Sequence, residues 1–232
     1  MELEKYLTID EVYNDLCMKI ENLDLMPGES ISENALCKSY GVTRHIVRGA
    51  ITRAKERGLL EVYPQRKTVV SLINMGYVED ILFVRESIEQ EALRRIMDLP
   101  EKDRMALVSV LKDNITKQKT YIDEEVEVES GGFYTMDQRF HTLMLNAVGK
   151  AHAMALIEDN YIHVRRWRKF ETSKKVSRRS EIIGEHESIV NAIENGNKYS
   201  VWEVLHKHLD TVTRYEGQFK GIHGKYFKFR EE

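Results

Sequence analysis

Apolar and polar positions alternate along this 232-residue chain with two different periods. Up to residue 57 the apolar residues recur every three or four positions, which predicts short helices at about 9–23, 33–39 and 43–57. The next stretch, "GLLEVYPQRKTVVSLI", carries two β-prone runs around the turn "PQRK". This pattern predicts an antiparallel hairpin. Helical periods return after Asn74 and continue through most of the remaining chain.

The second part of the chain predicts long helices. Their expected positions are about 75–97, 101–122, 131–148, 151–171, 178–195 and 199–217. The acidic segment "DEEVEVESGG", residues 123–132, interrupts this series and is typical of a solvated loop. The tail "KGIHGKYFKFREE" has no decisive period. We therefore predict a mostly α protein with a small N-terminal domain at 1–74 and an all-α helical bundle at 75–232.

Composition agrees with a globular helical protein. Hydrophobic residues make up 42% of the chain, and it contains only three prolines. No stretch approaches the roughly 18 to 20 consecutive apolar residues that a membrane span needs. The start of the chain, "MELEKYLTIDE", lacks the basic and apolar regions of a signal peptide. We expect a cytoplasmic protein that does not bind membranes.

Charge is distributed unevenly, although the net charge is only −3. Residues 1–43 hold three Lys or Arg against nine Asp or Glu, whereas residues 44–67 hold seven against two. A basic block of this kind in an acidic protein is an electrostatic signature of nucleic-acid binding. A solvated basic surface helix is the alternative interpretation.

The basic block follows the spacing of a helix-turn-helix. One predicted helix, a turn containing Gly41 and a second helix starting at Thr43 give this motif, and Ser32 and Thr43 are expected to cap the two helices. The second helix would enter the major groove through its N-terminal residues, and the hairpin turn would form a wing. The candidate DNA-binding residues are Arg44, His45 and Arg48 on the helix, with Arg66 and Lys67 on the wing.

The stretch "PGESISENALCKSYGVTRHIVRGAITRAKERGLL" resembles the winged helix-turn-helix of the GntR family of bacterial transcription regulators. The later helices are similar to the all-α FCD effector domain of its FadR-type branch. The resemblance implies a ligand-responsive regulator that binds double-stranded operator DNA as a homodimer. It also implies that Arg44 and Arg48 contact DNA, with Thr43 and the wing residue Arg66 assisting. The sequence departs from the family at Ile46, Gly49 and Lys67, where Pro, Glu and Gly are usual, so we expect an altered wing tip.

A second constellation lies in the predicted bundle. Asp137 and His141 are four residues apart and share one helix face with apolar neighbours. His186 and His208 each fall on the apolar side of a later helix. One divalent cation could satisfy these four buried groups together. An Asp–His hydrogen bond within one helix plus two unrelated core histidines is the alternative.

This pattern is similar to that of the metal-binding subset of FCD domains, which has Asp-x3-His, then His, then His twenty-two residues later. The resemblance implies that Asp137, His141, His186 and His208 bind a divalent metal ion, with Zn²⁺, Ni²⁺, Mn²⁺ and Fe²⁺ not distinguished. It also implies a small carboxylic acid as effector. The candidate effector-binding residues are Arg85, which matches an arginine of the family, Arg165, chosen from among Arg165, Arg166 and Arg168, and His206, which would flank the site.

Two other functions are compatible with the sequence. A metal-dependent hydrolase would use the cation to activate water, with Glu185 or Glu187 as base. The chain, however, has no H-E-x-x-H motif, since Val190 stands where the second histidine would be, and it has no nucleophile elbow. The bundle could also serve only for dimerisation. We expect a regulator and no enzymatic activity.

Overall fold

Helices account for most of the chain in the computed structural model, which describes residues 7–122, 132–172, 176–210, 221 and 224–230. The helices whose bounds the described residues give are α1 (Ile9–Glu21), α2 (Glu33–Tyr40), α3 (Arg44–Glu56), α4 (Met75–Met97), α5 (Glu101–Thr120), α6 (Gly132–Ala147), α7 (Glu158–Thr172), α8 (Val176–Glu194) and α9 (Lys198–Leu209). The strands are β1 (Ser30–Ile31), β2 (Leu60–Tyr63), β3 (Lys67–Val70), β4 (Ile73–Asn74) and β5 (Phe227–Lys228). The predicted mostly α fold class is confirmed.

The chain divides into two compact units that are not continuous in sequence. The first unit comprises Met1–Val78, Asp159–Lys169 and Glu216–Glu232, and the second comprises Glu79–Glu158 and Phe170–Tyr215. The linear division predicted at residue 74 places both later segments of the first unit in the bundle. They join the first unit because Ile162 packs into its core and β5 pairs with β4 in parallel.

The first unit is built on α1, α2 and α3 and on an antiparallel sheet in the order β1, β3, β2. Thr8 and Glu11 form a capping box at the start of α1, and the Ser32 hydroxyl accepts from the Ala35 N–H as predicted for α2. Gly41 ends α2 with φ of 66°, a conformation that glycine adopts without strain. The core of this unit lies between the helices and the sheet, and includes Leu16, Ile20, Val47, Ile51 and Leu59.

The structure shows where the positive φ of the wing turn falls. We expected Lys67, which replaces the usual glycine of the family, to disturb the tip. The structure instead places Lys67 at the start of β3, paired with Tyr63, and the positive φ falls on Gln65 at 58°. The Arg66 N–H donates to the Tyr63 carbonyl at 3.1 Å and closes the turn. The strained position of the wing is therefore Gln65.

The second unit is a helical bundle in which α5 packs against α6 and α8, and α8 packs against α9. Its core includes Leu93 and Ile96 of α4, Leu111 of α5, and Ile189 and Ile193 of α8. The helix predicted at 151–171 begins only at Glu158. The prediction is wrong for residues 151–157. Their backbone N–H groups bond to the carbonyl three residues earlier, as Ile157 N–H does to Met154 O at 3.1 Å, and Met154–Leu156 form a 3₁₀ turn.

Two expectations fall largely on parts of the chain that the structure does not describe. The predicted acidic loop at 123–132 lies outside the described residues except for Gly132, which begins α6. The helix predicted at 199–217 is described only as far as Leu209, and residues 211–217 lie outside. Within the described ranges, no helix is both long enough and apolar enough to cross a membrane.

Candidate functional site

Four buried side chains converge inside the second unit. Asp137 and His141 come from α6, His186 from α8 and His208 from α9, and one potential ligand atom from each lies within 4.8 Å of all the others. The Nε2 atoms of His141 and His208 are 3.2 Å apart, and His186 Nε2 lies 3.6 Å from Asp137 Oδ1. The structure thus brings together all four residues that the sequence predicted as metal ligands.

Packing on α6 and α8 holds the imidazoles in place. Asp137 and His141 are one helical turn apart, so their side chains leave α6 on the same face. Between them in sequence, Phe140 is fully buried, and its ring stacks on that of His186 with centroids 4.0 Å apart. Phe140, one of the apolar neighbours of the acid, therefore packs against the ligand His186 from another helix and restrains its ring.

A second layer of oxygens holds the other ring nitrogen of each histidine. Glu89 Oε2 lies 2.7 Å from His141 Nδ1, Gln118 Oε1 lies 2.8 Å from His186 Nδ1, and Glu185 Oε2 lies 2.9 Å from His208 Nδ1. A carboxylate or amide oxygen only accepts, so each Nδ1–H donates. A neutral imidazole that is protonated on Nδ1 presents the lone pair of Nε2.

The residues present fit a divalent cation. Two Nε2 atoms that both carry lone pairs at 3.2 Å repel each other unless a proton or a cation lies between them. Three imidazole nitrogens and one carboxylate oxygen are ligands typical of Zn²⁺ and of other first-row divalent metals. The outer oxygens on Nδ1 are the usual accompaniment of metal-binding histidines.

Sequence reasoning missed the outer layer of the site. Glu89 and Gln118 were not candidates, and Glu185 was considered only as a general base. The available signal was helical spacing, because Glu89 lies four residues after Arg85 and receives its Nε–H at 2.6 Å. Similarly, the Gln118 amide donates to Asn114, four residues earlier, at 2.7 Å. Such pairs on core-facing helix sides indicate buried polar groups that need partners.

The three predicted effector-binding residues lie in different environments. Arg85 is buried in the second unit and is linked through Glu89 to His141. His206 is largely exposed, and its Nδ1 lies 2.8 Å from Glu86. Arg165 belongs to the first unit, where its Nε pairs with Glu21 at 2.9 Å. Of the three, Arg85 is therefore the residue whose contacts lead to the four converging ligands.

The predicted DNA-binding side chains are exposed on the first unit. Arg44 donates to Asn34 at 3.0 Å, and Arg48 pairs with Glu33 at 3.0 Å. Exposed pairs of this kind contribute only about 0–1 kcal/mol, so both arginines could leave them for phosphate or base edges. Thr43 occupies the N-cap position of α3, but its hydroxyl makes no capping bond, contrary to our expectation. The remaining exposed candidates are His45 on α3 and Arg66 and Lys67 on the wing.

Comparison with known families gives two matches along the chain. Residues 8–70 match the gntR family of bacterial regulatory proteins, and residues 80–211, more than half of the chain, match the FCD domain. The chain belongs to the GntR family. The members of this family and the relatives of this chain are transcriptional regulators, so this GntR protein is a regulator with an FCD effector domain and not a metal-dependent hydrolase.

Relatives of this GntR regulator extend over nearly its whole length. A regulator of Streptomyces ambofaciens, described as an uncharacterized HTH-type regulator in an unstable DNA locus, is 27% identical over 87% of this chain and 82% of its own. The HTH-type transcriptional repressor RspR of Escherichia coli is 24% identical over 94% of this chain and 92% of its own. Among solved structures, E. coli McbR/YncC covers 91% of this chain and 98% of its own with a TM-score of 0.59 at 17% identity. The structure of a GntR regulator from Rhodococcus sp. RHA1 has a TM-score of 0.60 at 17% identity. It covers 93% of this chain and 98% of its own.

Proposed function

We propose that this GntR regulator binds operator DNA as a homodimer and responds to a small carboxylic acid that is held at a divalent metal centre in its FCD domain. The observation that carries the proposal is the convergence of Asp137 and three histidines, each histidine with its Nδ1 bonded to an outer oxygen. The proposal is supported by the mutual distances, since one potential ligand atom from each of the four residues lies within 4.8 Å of the others inside the bundle.

The metal ligands in this proposal are Asp137, His141, His186 and His208. A divalent cation bound there would supply a positive, Lewis-acidic face that accepts a carboxylate oxygen. Arg85 is the residue that we propose for the other side of the carboxylate, because a guanidinium pairs with carboxylates through a planar fork. Arg165 and His206 stay predictions, since their contacts are with Glu21 and Glu86.

The DNA-binding part of the proposal rests on α3 and the wing. The N-terminal end of α3 exposes Thr43, Arg44, His45 and Arg48, and the wing exposes Arg66 and Lys67. In a homodimer, two such helices would enter major grooves about one helical turn apart. Phe83 and Val84 of α4 are 71% and 41% exposed, and such neighbouring apolar side chains are suited to contact with a second copy.

The metal proposal is tested on protein purified without chelator or affinity tag. We expect about one equivalent of metal by elemental analysis, and a rise in melting temperature when Zn²⁺, Ni²⁺ or Mn²⁺ is added to stripped protein, since ligands of the native state stabilise it by mass action. His186→Ala should abolish the rise, whereas His206→Ala should retain it. Absence of bound metal together with no stabilisation by any of the three cations would refute the centre.

The DNA proposal is tested by mobility shift with the promoter region of the protein's own gene. We expect affinity that falls steeply with salt, and a loss of about 1–3 kcal/mol in Arg44→Ala or Arg48→Ala if each arginine contacts a base edge. Lys112→Ala removes a positive charge from the second unit and serves as the control. A screen of small carboxylates on metal-loaded protein should then find one that alters the shift. If the protein did not shift the promoter DNA at low salt, the DNA-binding part of the proposal would be refuted.

A further inference from the structure

Two chains of contacts meet at Glu89, which is completely buried on α4. One of its oxygens, Oε1, accepts from Arg85 Nε at 2.6 Å. The other, Oε2, accepts from His141 Nδ1 at 2.7 Å. Since Arg85 and His141 bond to the two oxygens of one carboxylate, whatever draws Arg85 away changes the negative charge that His141 experiences.

The other two histidines have different outer partners. His186 bonds to the amide of Gln118, which carries no charge. His208 bonds to Glu185, whose second oxygen lies 3.4 Å from Arg178 Nη1, a longer contact than that between Arg85 and Glu89. Glu185 is therefore a natural comparison for Glu89, because it offers the same chemistry to another ligand while its second oxygen faces a different arginine.

The electrostatic consequence follows from burial, because charges that are shielded from water interact more strongly. A carboxylate on Nδ1 makes the imidazole a better donor to a metal, and replacing such outer partners typically costs about 10- to 100-fold in metal affinity. A guanidinium on the same carboxylate offsets part of this effect. An anion that pairs with Arg85 would weaken the hold of Arg85 on Glu89, and the carboxylate would then act more fully on His141.

We propose that Glu89 is a positioning residue that links Arg85 to the ligand His141, so that an anionic ligand at Arg85 tightens the binding of the metal. The inference rests on the metal centre proposed above. By linkage, bound metal must favour the anion to the same extent. Effector and cation would then bind cooperatively through a three-residue path inside one unit: Arg85, Glu89 and His141.

The experiment needs only Zn²⁺, titrated against a competing chelator in the full-length protein. Glu89→Gln keeps the shape of the side chain and should lower Zn²⁺ affinity by about 10- to 100-fold. Arg85→Met imitates the loss of the guanidinium from Glu89 and should raise Zn²⁺ affinity by about tenfold, a change within the range of outer-partner effects. Arg85→Lys retains the charge and should bind Zn²⁺ nearly as the wild type does.

The decisive comparison places Arg85→Met in two backgrounds. A direct repulsion between Arg85 and the cation would persist in Glu89→Gln protein, whereas an effect transmitted by Glu89 would disappear there. The same substitution in Glu185→Gln protein should keep its full effect, because that variant leaves the Arg85–Glu89–His141 path intact. The proposal would be overturned if Arg85→Met raised Zn²⁺ affinity equally in the wild-type and Glu89→Gln backgrounds. It would also be overturned if Glu89→Gln alone bound Zn²⁺ with wild-type affinity.

A spectroscopic readout separates positioning from general loss of structure. In metal-free protein, the ¹⁵N resonance of His141 Nδ1–H should move in one direction in Arg85→Met and in the other in Glu89→Gln. The His208 signal should follow that of His141, because their Nε2 atoms are 3.2 Å apart, whereas the Nδ1–H signal of His186, which bonds to Gln118, should move least. If wild-type protein binds no Zn²⁺, the metal centre itself is refuted. If it binds Zn²⁺ but the variants do not follow this pattern, only the role of Glu89 is refuted.

Discussion

His163 is a buried histidine of α7, only 5% exposed, and its surroundings disfavour the charged form. Its Nε2–H donates to the Arg57 carbonyl at 3.0 Å, and its ring meets Tyr77 edge to face with centroids 5.1 Å apart. Burial lowers the pKa of His163 to about 4, and the nearby positive charges of Arg166 and Arg57 contribute to the lowering. The native first unit therefore holds this imidazole neutral at pH 7.

This depressed pKa predicts a loss of stability in mild acid. Below pH 6.5 the unfolded chain takes up a proton that folded His163 does not accept until about pH 4. The free energy of unfolding should fall by about 2 kcal/mol between pH 7 and pH 5 from this residue alone. Urea unfolding of wild type and His163→Phe at both pH values isolates the contribution, since the other histidines are common to both proteins. If the free energy of unfolding changed equally with pH in wild type and His163→Phe, His163 would not be the source of the pH dependence.

Gly49 shows how a local rule can mislead at a packed position. By helix propensity, alanine at this site should stabilise α3 by about 1 kcal/mol. A Cβ at Gly49, however, would lie 2.8 Å from Ile9 Cδ1 and 3.1 Å from Ile9 Cγ2 on α1. We expect Gly49→Ala to lower the free energy of unfolding by about 1 kcal/mol, because overpacking costs about 1–3 kcal/mol. Thr52→Ala, on the exposed side of α3, should not lower it. A stabilised Gly49→Ala would show that Ile9 moves aside freely.

At the level of elements, the caps of α2 and α3 separate stability from DNA binding. The Ser32 hydroxyl caps α2, whereas the Thr43 hydroxyl at the start of α3 makes no cap bond. Ser32→Ala should therefore lower stability by about 1 kcal/mol. Thr43→Ala should change it by less than about 0.5 kcal/mol, as at most surface positions, yet weaken operator binding. Thermal melting and mobility shifts on both variants, with Thr43→Ser as the control, check this prediction.

The helices were largely predictable because apolar residues repeat with the helical period and the caps and turns are local. Residues 151–157 defeated that reasoning, since the choice between i−3 and i−4 bonding has no clear local signature. The pairing of β4 with β5 could not be predicted from local patterns either. Each strand has two residues, and their partners lie more than 150 residues away in sequence. Such contacts are specified by tertiary packing and not by a pattern along the chain.

The four converging ligands were predictable for the same reason as the helices, since each faces the core at a helical position. Their outer partners were not, because Gln118 and Glu89 reach the histidines from α5 and α4 across the bundle. Sequence spacing reveals neighbours on one helix only. Sequence spacing also did not locate the positive φ of the wing turn, which falls on Gln65, two residues before Lys67.

At the scale of the whole molecule, a segment near the end of the sequence helps to build the first unit. Phe227 of β5 is buried, pairs in register with Ile73 of β4, and meets the buried ring of Trp167 edge to face at 5.8 Å. Arg230 donates to the Gly76 carbonyl at 3.2 Å. The DNA-binding unit thus depends on residues that follow the FCD match at 80–211.

This arrangement predicts that a substitution outside both family matches destabilises the DNA-binding unit. Phe227→Ala should cost about 3–5 kcal/mol, the usual range for removing a buried aromatic ring, and should weaken operator binding at temperatures where the variant partly unfolds. Phe227→Leu preserves most of the volume and should cost less. Lys228→Ala, the next residue on the exposed side of β5, should be nearly neutral. Urea unfolding that gave Phe227→Ala and Lys228→Ala the same midpoint would show that β5 does not support the first unit.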